Sequence, residues 1–305
     1  MISYNLTTLQ GKNLLKTAEI SEEFLLERDD PNYPPHHTGD HLEEFFLKFW
    51  RTEGLGSRKL IPVHWTAVYN YKSKEGFGEN SPNRRLRNEL KRYLKELDPN
   101  EKYFVVCTHD DAPAEELPPN TIVFGAGGNS SKIDVPIPLT CGAHNDVGDF
   151  VRTIPLSFVG SLTHPIRHMM CQALQGKQGT FISASEWSSA VEAQKIDLFK
   201  QATQRSIFSL CPRGYGATSY RLYESMQLGA IPVYLSDRHL LPWSDTLDWN
   251  EFCIVIRPEQ FHDILNLTFG ASGSEVRKKQ EILSKVWDEN FSIESTSHHI
   301  LKRLK

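Results

Sequence analysis

The feature that most constrains this chain is an alternation. Short apolar runs rich in β-branched and aromatic residues recur, each followed by turn residues and then by helical periodicity. Tyr103-Phe-Val-Val-Cys-Thr108 is one such run and ends in His109-Asp110-Asp111. Thr121 to Phe124 is another and ends in Gly125-Ala-Gly-Gly128. Ile154 to Phe158, Thr180 to Ser183, Ser206 to Cys211 and Ile231 to Leu235 repeat the pattern, with helices expected over Pro165 to Gln175 and Lys195 to Thr203. Continuous apolar runs suit strands covered on both faces, so the chain is expected to be α/β with parallel sheets. Ligands in such sheets bind beyond the carboxyl ends of the strands, where His109, Asp110, Asp111 and the glycine turn are placed.

Other elements read less simply. A helix is expected from Asp40 to Trp50, capped by Asp40 with Glu43 three residues on, and with Leu42, Phe45, Phe46 and Phe49 on its buried face. Leu60 to Trp65 reads as a strand and Pro82 to Leu97 as a helix that starts at its proline. Asp134-Val-Pro-Ile-Pro138 cannot be a central strand, because proline lacks the ladder donor. Gly160-Ser161 reads as a turn, and Glu275 to Leu301 as largely helical. A length of 305 residues suggests two domains of about 150 residues each. They are placed at 1–145 and 146–305, with the linker near residues 140–153.

Composition excludes several classes. A hydrophobic fraction of 39% and a charged fraction of 24% are unlike those of disordered chains. A net charge of −4 argues against a dedicated nucleic-acid binder. No stretch approaches the ~20 apolar residues of a membrane span, and residues 1–16 show no signal-like run. The five cysteines are scattered and form no C-x-x-C pair, so neither a disulfide framework nor a zinc knuckle is expected. The reading is a soluble, cytoplasmic protein with reduced thiols.

The segment from Ile207 to Leu235 is strand, glycine turn, helix, strand. Gly214 and Gly216 allow close approach of the backbone to a ligand. Thr218 or Ser219 is expected to cap a helix that stops at Gly229. The free N–H groups at that helix start favour an anion such as phosphate, and Arg213 in the turn adds a charged donor. Glu224, further along the helix, could accept both hydroxyls of a ribose. By itself the spacing leaves phosphate binding and an ordinary α/β turn about equally supported, because Gly214-Tyr-Gly216 lacks the third glycine of a dinucleotide fingerprint.

The string Cys-Pro-Arg-Gly-Tyr-Gly-x-x-Ser-x-Arg-Leu-x-Glu from Cys211, then Gly229-Ala-Ile-Pro-Val233, Leu241-Pro-Trp243 and Leu247-Asp-Trp-Asn-Glu-Phe252 resembles the exostosin family, glycosyltransferase family 47. Ser157-Phe-Val-Gly-Ser161 with Ile166-Arg167, and Asp134 to Pro138, resemble further elements of that family. The Pro34 to Phe46 stretch and Ile61 to Trp65 resemble its compact soluble members from microbes and large algal viruses. The resemblance implies a GT-B fold, two Rossmann-like domains facing across a cleft. It implies inverting transfer from a UDP-sugar, such as UDP-xylose or a UDP-hexose, to a hydroxyl of a glycan or glycoprotein, with no cofactor and no bound metal. The second half accordingly has no Asp-x-Asp element. Asp146 and Asp149 are wrongly spaced for one, and Asp110-Asp111 lies in the first half.

On this resemblance Arg167 and Arg213 are diphosphate candidates beside Gly160 and Ser161. Gly214 lies in the turn, Tyr215 stacks on the base or shapes the turn, Ser219 caps and touches phosphate, and Glu224 takes the ribose or pairs with Arg221. The general base is sought among Asp111, Asp40 and Asp110, in that order of preference, with His109, His37, Glu44 and His144 also eligible. His36, His37 and His41 do not make His-Glu-x-x-His and read as acceptor-pocket histidines, not as metal ligands. Trp65, Trp243 and Trp249 could stack on sugars, although core packing suits Trp249 better. The competing readings are a non-catalytic nucleotide-sugar module acting with a partner, and a Rossmann-type NAD enzyme. The missing third glycine disfavours the latter. Homo- or hetero-oligomerisation is left open.

Overall fold

The computed structural model describes residues 17–305 apart from residues 20, 31, 32, 35, 55, 76, 77, 79, 145–147 and 149. The start of the chain, the expected boundary at residues 145 and 146, and Asp146 and Asp149 lie outside the described residues.

The first half opens with α1 (Leu42–Glu53), whose buried stripe is Leu42, Phe46, Leu47 and Trp50. Its cap differs from expectation. His41 stands at the N-cap with no side-chain capping bond, and Asp40 pairs instead with Lys48 at 2.6 Å on the surface. Glu43 is also no capping partner. Its carboxylate turns inward and accepts from the amides and hydroxyls of Thr66 and Thr108.

The expected strand from Leu60 to Trp65 shrinks to β1 (Lys59–Leu60), because Pro62 has no N–H for a ladder and α2 (Trp65–Asn70) starts at Trp65. Next come α3 (Pro82–Glu96), capped by Ser81, then β2 (Tyr103–Cys107), β3 (Ile122–Gly125) and the two-residue β4 (Val135–Pro136). These strands form a parallel sheet in sequential order, β1-β2-β3-β4, with Phe104 opposite Ile122 and Cys107 opposite Gly125.

The second half runs β5 (Ile154–Ser161), α4 (Pro165–Leu174), β6 (Thr180–Ser185), α5 (Ala193–Gln204), β7 (Ser206–Pro212), α6 (Tyr220–Gln227), β8 (Ile231–Leu235), β9 (Ile254–Ile256) and α7 (Ile264–Phe269). Gly160 and Ser161 are not a turn. They end β5 and pair with Ala184 and Ser185 of β6. The closing helical stretch is two helices, α8 (Gly273–Asn290) and α9 (Ile293–Leu304), because Ser292 caps a new start by accepting from the Ser295 amide. α9 returns to pack on α1, with His298 edge-on to Phe49 at 4.9 Å.

All pairings in this sheet are parallel, in the order β6-β5-β7-β8-β9. Strand order therefore reverses at β5, and the diverging connections open a crevice at the carboxyl ends of β5 and β7. The carboxyl ends of the two sheets face one another. The Ala217 amide donates to Gly127 O at 2.8 Å, and Arg238 donates to Gly128 O at 2.8 Å. One apolar cluster runs from Phe46, Trp50 and Phe104 through Leu222 and Tyr223 to Phe291 and Ile300. The architecture is two Rossmann-like halves in the GT-B arrangement. Among the described residues no helix is long and apolar enough to cross a membrane.

Candidate functional site

Arg167 fills the switch crevice. It projects from the first turns of α4 and is buried. Its Nε donates to Arg213 O at 2.8 Å, Nη1 to Ser161 O at 2.7 Å, and Nη2 to Pro212 O at 3.1 Å and Ser219 Oγ at 3.3 Å. Thus the ends of both switch strands hold the guanidinium through their carbonyls. Beside it Arg221 donates to Val159 O at 2.9 Å and lies over the Phe158 ring. Gly160 makes room for that side chain, since a β-carbon there would lie 2.0 Å from Arg221 Nη2.

Among the described residues no carboxylate pairs with Arg167 or Arg221. Burial and the neighbouring Arg221 pull the Arg167 guanidinium down to about 9. Buried charge is normally paired, so two adjacent guanidinia without an anion make an anion-seeking crevice. The hydroxyl of Thr163 is buried there without a hydrogen-bond partner. Gly214 keeps the space open, since its missing β-carbon would stand 3.2 Å from Arg167 Nη2 and 3.7 Å from Thr163 Oγ1.

Arg213 is different. It is buried, its Nη1 meets Asp237 at 2.6 Å, and its other donors reach Tyr215 O, Gly216 O and Asn129 Oδ1. Its charge is matched, so it shapes the turn across the cleft. Ser219 occupies the N-cap of α6 but makes no side-chain capping bond. Its hydroxyl instead accepts from Arg167, with Arg221 Nη1 at 3.5 Å. Gly229 does end the helix, at a φ of +73° that favours glycine.

From the facing half come Asp110 and Asp111. Asp111 accepts from Asn129 Nδ2 at 3.0 Å and from the exposed Tyr215 hydroxyl at 3.2 Å. Asp110 reaches the glycine turn itself. A β-carbon at Gly216 would lie 1.9 Å from Asp110 Oδ1, and one at Gly127 would lie 2.2 Å from Asp110 Cα. The close approach at Gly216 is therefore between the two halves, whereas that at Gly127 lies within the first. Burial and the adjacent Asp111 push the Asp110 carboxyl up to about 7, against the pull of Arg213 and Arg167. Asp40, paired with Lys48, does not join this cluster.

The other eligible bases are engaged elsewhere. His109 Nδ1 accepts from the Asp111 amide, His37 Nδ1 accepts from the Gly142 amide, and Glu44 pairs with Arg28. Burial lowers the His109 and His37 imidazoles.

Glu224 does not pair with Arg221. Its Oε1 lies 3.1 Å from His36 Nδ1 and 3.4 Å from His144 Nε2, and the two imidazoles stack at 3.9 Å. Burial alone would raise this carboxyl, yet His144 and His36 hold it below its ordinary value. Trp65, Trp243 and Trp249 are all core residues, buried to within 3%, and stack on no ligand face. The exposed tryptophan is Trp187 beyond β6, edge-on to Tyr33.

Sequence reasoning missed Asn129, Asp237 and the joining of His36, His144 and Glu224. Asp237 stands just beyond the buried strand β8 and carried the same signal as Asp110. His36 reaches the neighbourhood of His144 across 105 positions, through its contact with Cys141, and local patterning carries no sign of it.

The class defined by these features is an α/β protein of GT-B type, with an anion-seeking crevice at the switch point of its second sheet. Residues 120–268 match the Exostosin GT47 domain. An exostosin-1 homolog of Caenorhabditis elegans is 33% identical over 105 residues, 34% of this chain and 28% of the relative. A probable glucuronosyltransferase of Oryza sativa subsp. japonica is 30% identical over 108 residues, 33% of this chain and 26% of the relative. A probable beta-1,4-xylosyltransferase of Arabidopsis thaliana is 31% identical over 81 residues, 27% of this chain and 20% of the relative. The chain thus matches about a quarter of the length of these relatives. A glycosyltransferase structure from Rickettsia africae is 12% identical at a TM-score of 0.44, covering 87% of this chain and 93% of that one.

Proposed function

We propose that this chain is an inverting glycosyltransferase that moves a sugar from a UDP-sugar, such as UDP-xylose or a UDP-hexose, to a hydroxyl of a glycan or glycoprotein. The observation that carries the reading is the pair of adjacent guanidinia, buried Arg167 and half-buried Arg221, with no carboxylate partner among the described residues at the switch crevice of a half that resembles GT47. A diphosphate supplies the missing anion. Its oxygens meet Arg167, Arg221, Ser219 and the orphaned hydroxyl of Thr163. Arg213 and Tyr215 hold the turn beside Gly214. Glu224 accepts from the ribose hydroxyls once His36 gives way.

Asp110 is the general base. A base works best with a pKa near the operating pH, and Asp110 stands there, whereas the Asp111 carboxylate is occupied by Asn129 and Tyr215. The acceptor oxygen attacks the anomeric carbon in line and its proton passes to Asp110. The bond from that carbon to the β-phosphate oxygen breaks, and the electron pair leaves on UDP. Fixed guanidinia and backbone dipoles stabilise the charge that develops there, the task a divalent metal performs in other transferases. The transfer therefore needs no metal.

A panel of UDP-sugars tests this. UDP and at least one UDP-sugar should raise the thermal midpoint, because a ligand that binds only the folded state stabilises it. The same donor should be consumed when acceptor is added. Arg167→Ala should abolish the shift, with Arg221→Ala as the milder variant if the first folds poorly. A panel in which no UDP-sugar binds, while NAD does, would overturn the assignment.

A further inference from the structure

His36, His144 and Glu224 come from three separated parts of the chain and offer three ligand atoms on one small volume. His36 lies in the loop before α1, His144 before β5, and Glu224 on α6. The Nδ1, Nε2 and carboxylate oxygen all lie within 4.8 Å of one another. A tetrahedral Zn²⁺ with bonds of about 2.0–2.2 Å sets its ligand atoms roughly 3.4 Å apart. The two separations to Glu224 Oε1 are 3.1 and 3.4 Å.

The surroundings fit the same role. His144 Nε2 is buried and makes no hydrogen bond, although it points at a carboxylate oxygen. His36 Nε2, the nitrogen facing away, is 3.1 Å from the buried Cys141 Sγ, the kind of outer contact that orients a metal-binding imidazole. The His144 amide is held by Gln227 Oε1 at 2.6 Å. The rings stack with their planes 17° apart, and converging on one ion requires those planes to open. The broad second torsion of histidine permits this at small cost.

We infer that His36, His144 and Glu224 form a site for a divalent transition metal of the Zn²⁺ class, and that its occupancy excludes a nucleotide from Glu224. Two imidazoles and one carboxylate suit zinc, copper or nickel and are a poor match for Mg²⁺ or Ca²⁺, which take oxygen ligands. Three protein ligands leave a fourth position for water. The exclusion follows from geometry: bidentate acceptance of the two ribose hydroxyls takes both carboxylate oxygens, and the ion occupies Oε1. This second clause rests on the ribose role of Glu224 proposed above, whereas the metal site does not. Zinc would thus act as an inhibitor of donor binding and not as part of the transfer.

The test is a calorimetric titration of the whole chain with Zn²⁺ in a non-chelating buffer, without nucleotide. One equivalent should bind, with millimolar Mg²⁺ giving no heat. His36→Ala and His144→Ala should each weaken zinc binding at least tenfold, whereas the exposed His262→Ala should not. Circular dichroism checks folding, and His36→Ala, in the loop before α1, serves if His144→Ala does not fold. Failure to saturate at one equivalent, or zinc affinity unchanged in both His36→Ala and His144→Ala, overturns the site. UDP affinity is then measured in EDTA and in zinc. Zinc should lower it at least tenfold in the wild type and leave it unchanged in His36→Ala. Equal affinity in both media overturns the exclusion. Absence of UDP binding in EDTA counts against the nucleotide reading alone.

Discussion

The two sheets bring opposite charge to one cleft. In the first, the strands add in sequential order, β1 and β4 have two residues each, and the carboxyl end of β2 carries Asp110 and Asp111. In the second, the order reverses at β5, the two switch strands are seven and eight residues long, and their ends hold Arg167 with Arg213 close by. A sheet without a switch point opens no crevice between its strand ends, so the first half offers only a rim. The second half opens one and lines it with cation. Under the proposed function, the difference places anion binding in one half and proton acceptance in the other.

Removing the proton acceptor is the most severe way to break that division. Asp110→Asn keeps the shape of the side chain and removes its basicity. Transfer should fall by about 10²–10⁴-fold, while UDP affinity in a thermal-shift titration stays within a few-fold. An Asp110→Asn protein with full turnover would move the role to Asp111, the other acid of the pair.

The seam between the halves gives the next effect. Gly216→Ala puts a methyl 1.9 Å from Asp110 Oδ1 and 2.5 Å from Gly127 O. The second contact is backbone and cannot rotate away, so the halves must separate. Such overpacking costs about 1–3 kcal/mol, seen as a melting point lower by several degrees, and turnover should drop with it. Unchanged stability would show that the cleft closes less tightly than these contacts imply.

Legibility in the sequence followed the range of the interactions. The strands β2, β3, β5, β7 and β8 announce themselves as apolar runs, because a strand buried on both faces needs only its own residues to be recognised. The cap of α1 was misread because Asp40 has two partners within reach, the helix amides and Lys48, and local pattern does not rank them. Ser219 was placed at the start of α6, yet its hydroxyl turns to Arg167, and that competition depends on α4, 52 positions away. Arg167 and Arg213 look alike in the motif. Only the fold shows that Asp237 matches one charge, while no carboxylate among the described residues matches the other. The histidines on Glu224 lay beyond pattern altogether, since each is set by contacts between distant segments.

Acidity offers a milder probe of the same seam. The Asp110 carboxyl stands near 7 in the folded chain and near 4 when unfolded. Between these values the folded state holds a proton that the unfolded state has released, so stability falls as pH rises through that window and the penalty is fully present above it. Asp110→Asn lacks the penalty. Urea midpoints of wild type and variant should diverge steadily from pH 4.5 to 7.5, with the variant the more stable at the upper end. Parallel curves would mean that Asp110 ionises without strain at the seam.

The smallest effect belongs to Asp40, and it sharpens the contrast by lying outside the cleft. Its carboxylate meets Lys48 at 2.6 Å, with side chains 38% and 68% exposed. Exposed pairs are screened by water and lose side-chain entropy, so they contribute about 0–1 kcal/mol. Asp40 also makes no capping bond to α1, so no helix amide is orphaned when it changes. Asp40→Asn should therefore leave the unfolding free energy within about 0.5 kcal/mol of wild type and leave turnover unaltered. A large loss of turnover with UDP affinity intact would place Asp40 at the acceptor and reopen the choice of base. Equal turnover in Asp40→Asn beside a collapse in Asp110→Asn would locate proton transfer where the two sheets meet.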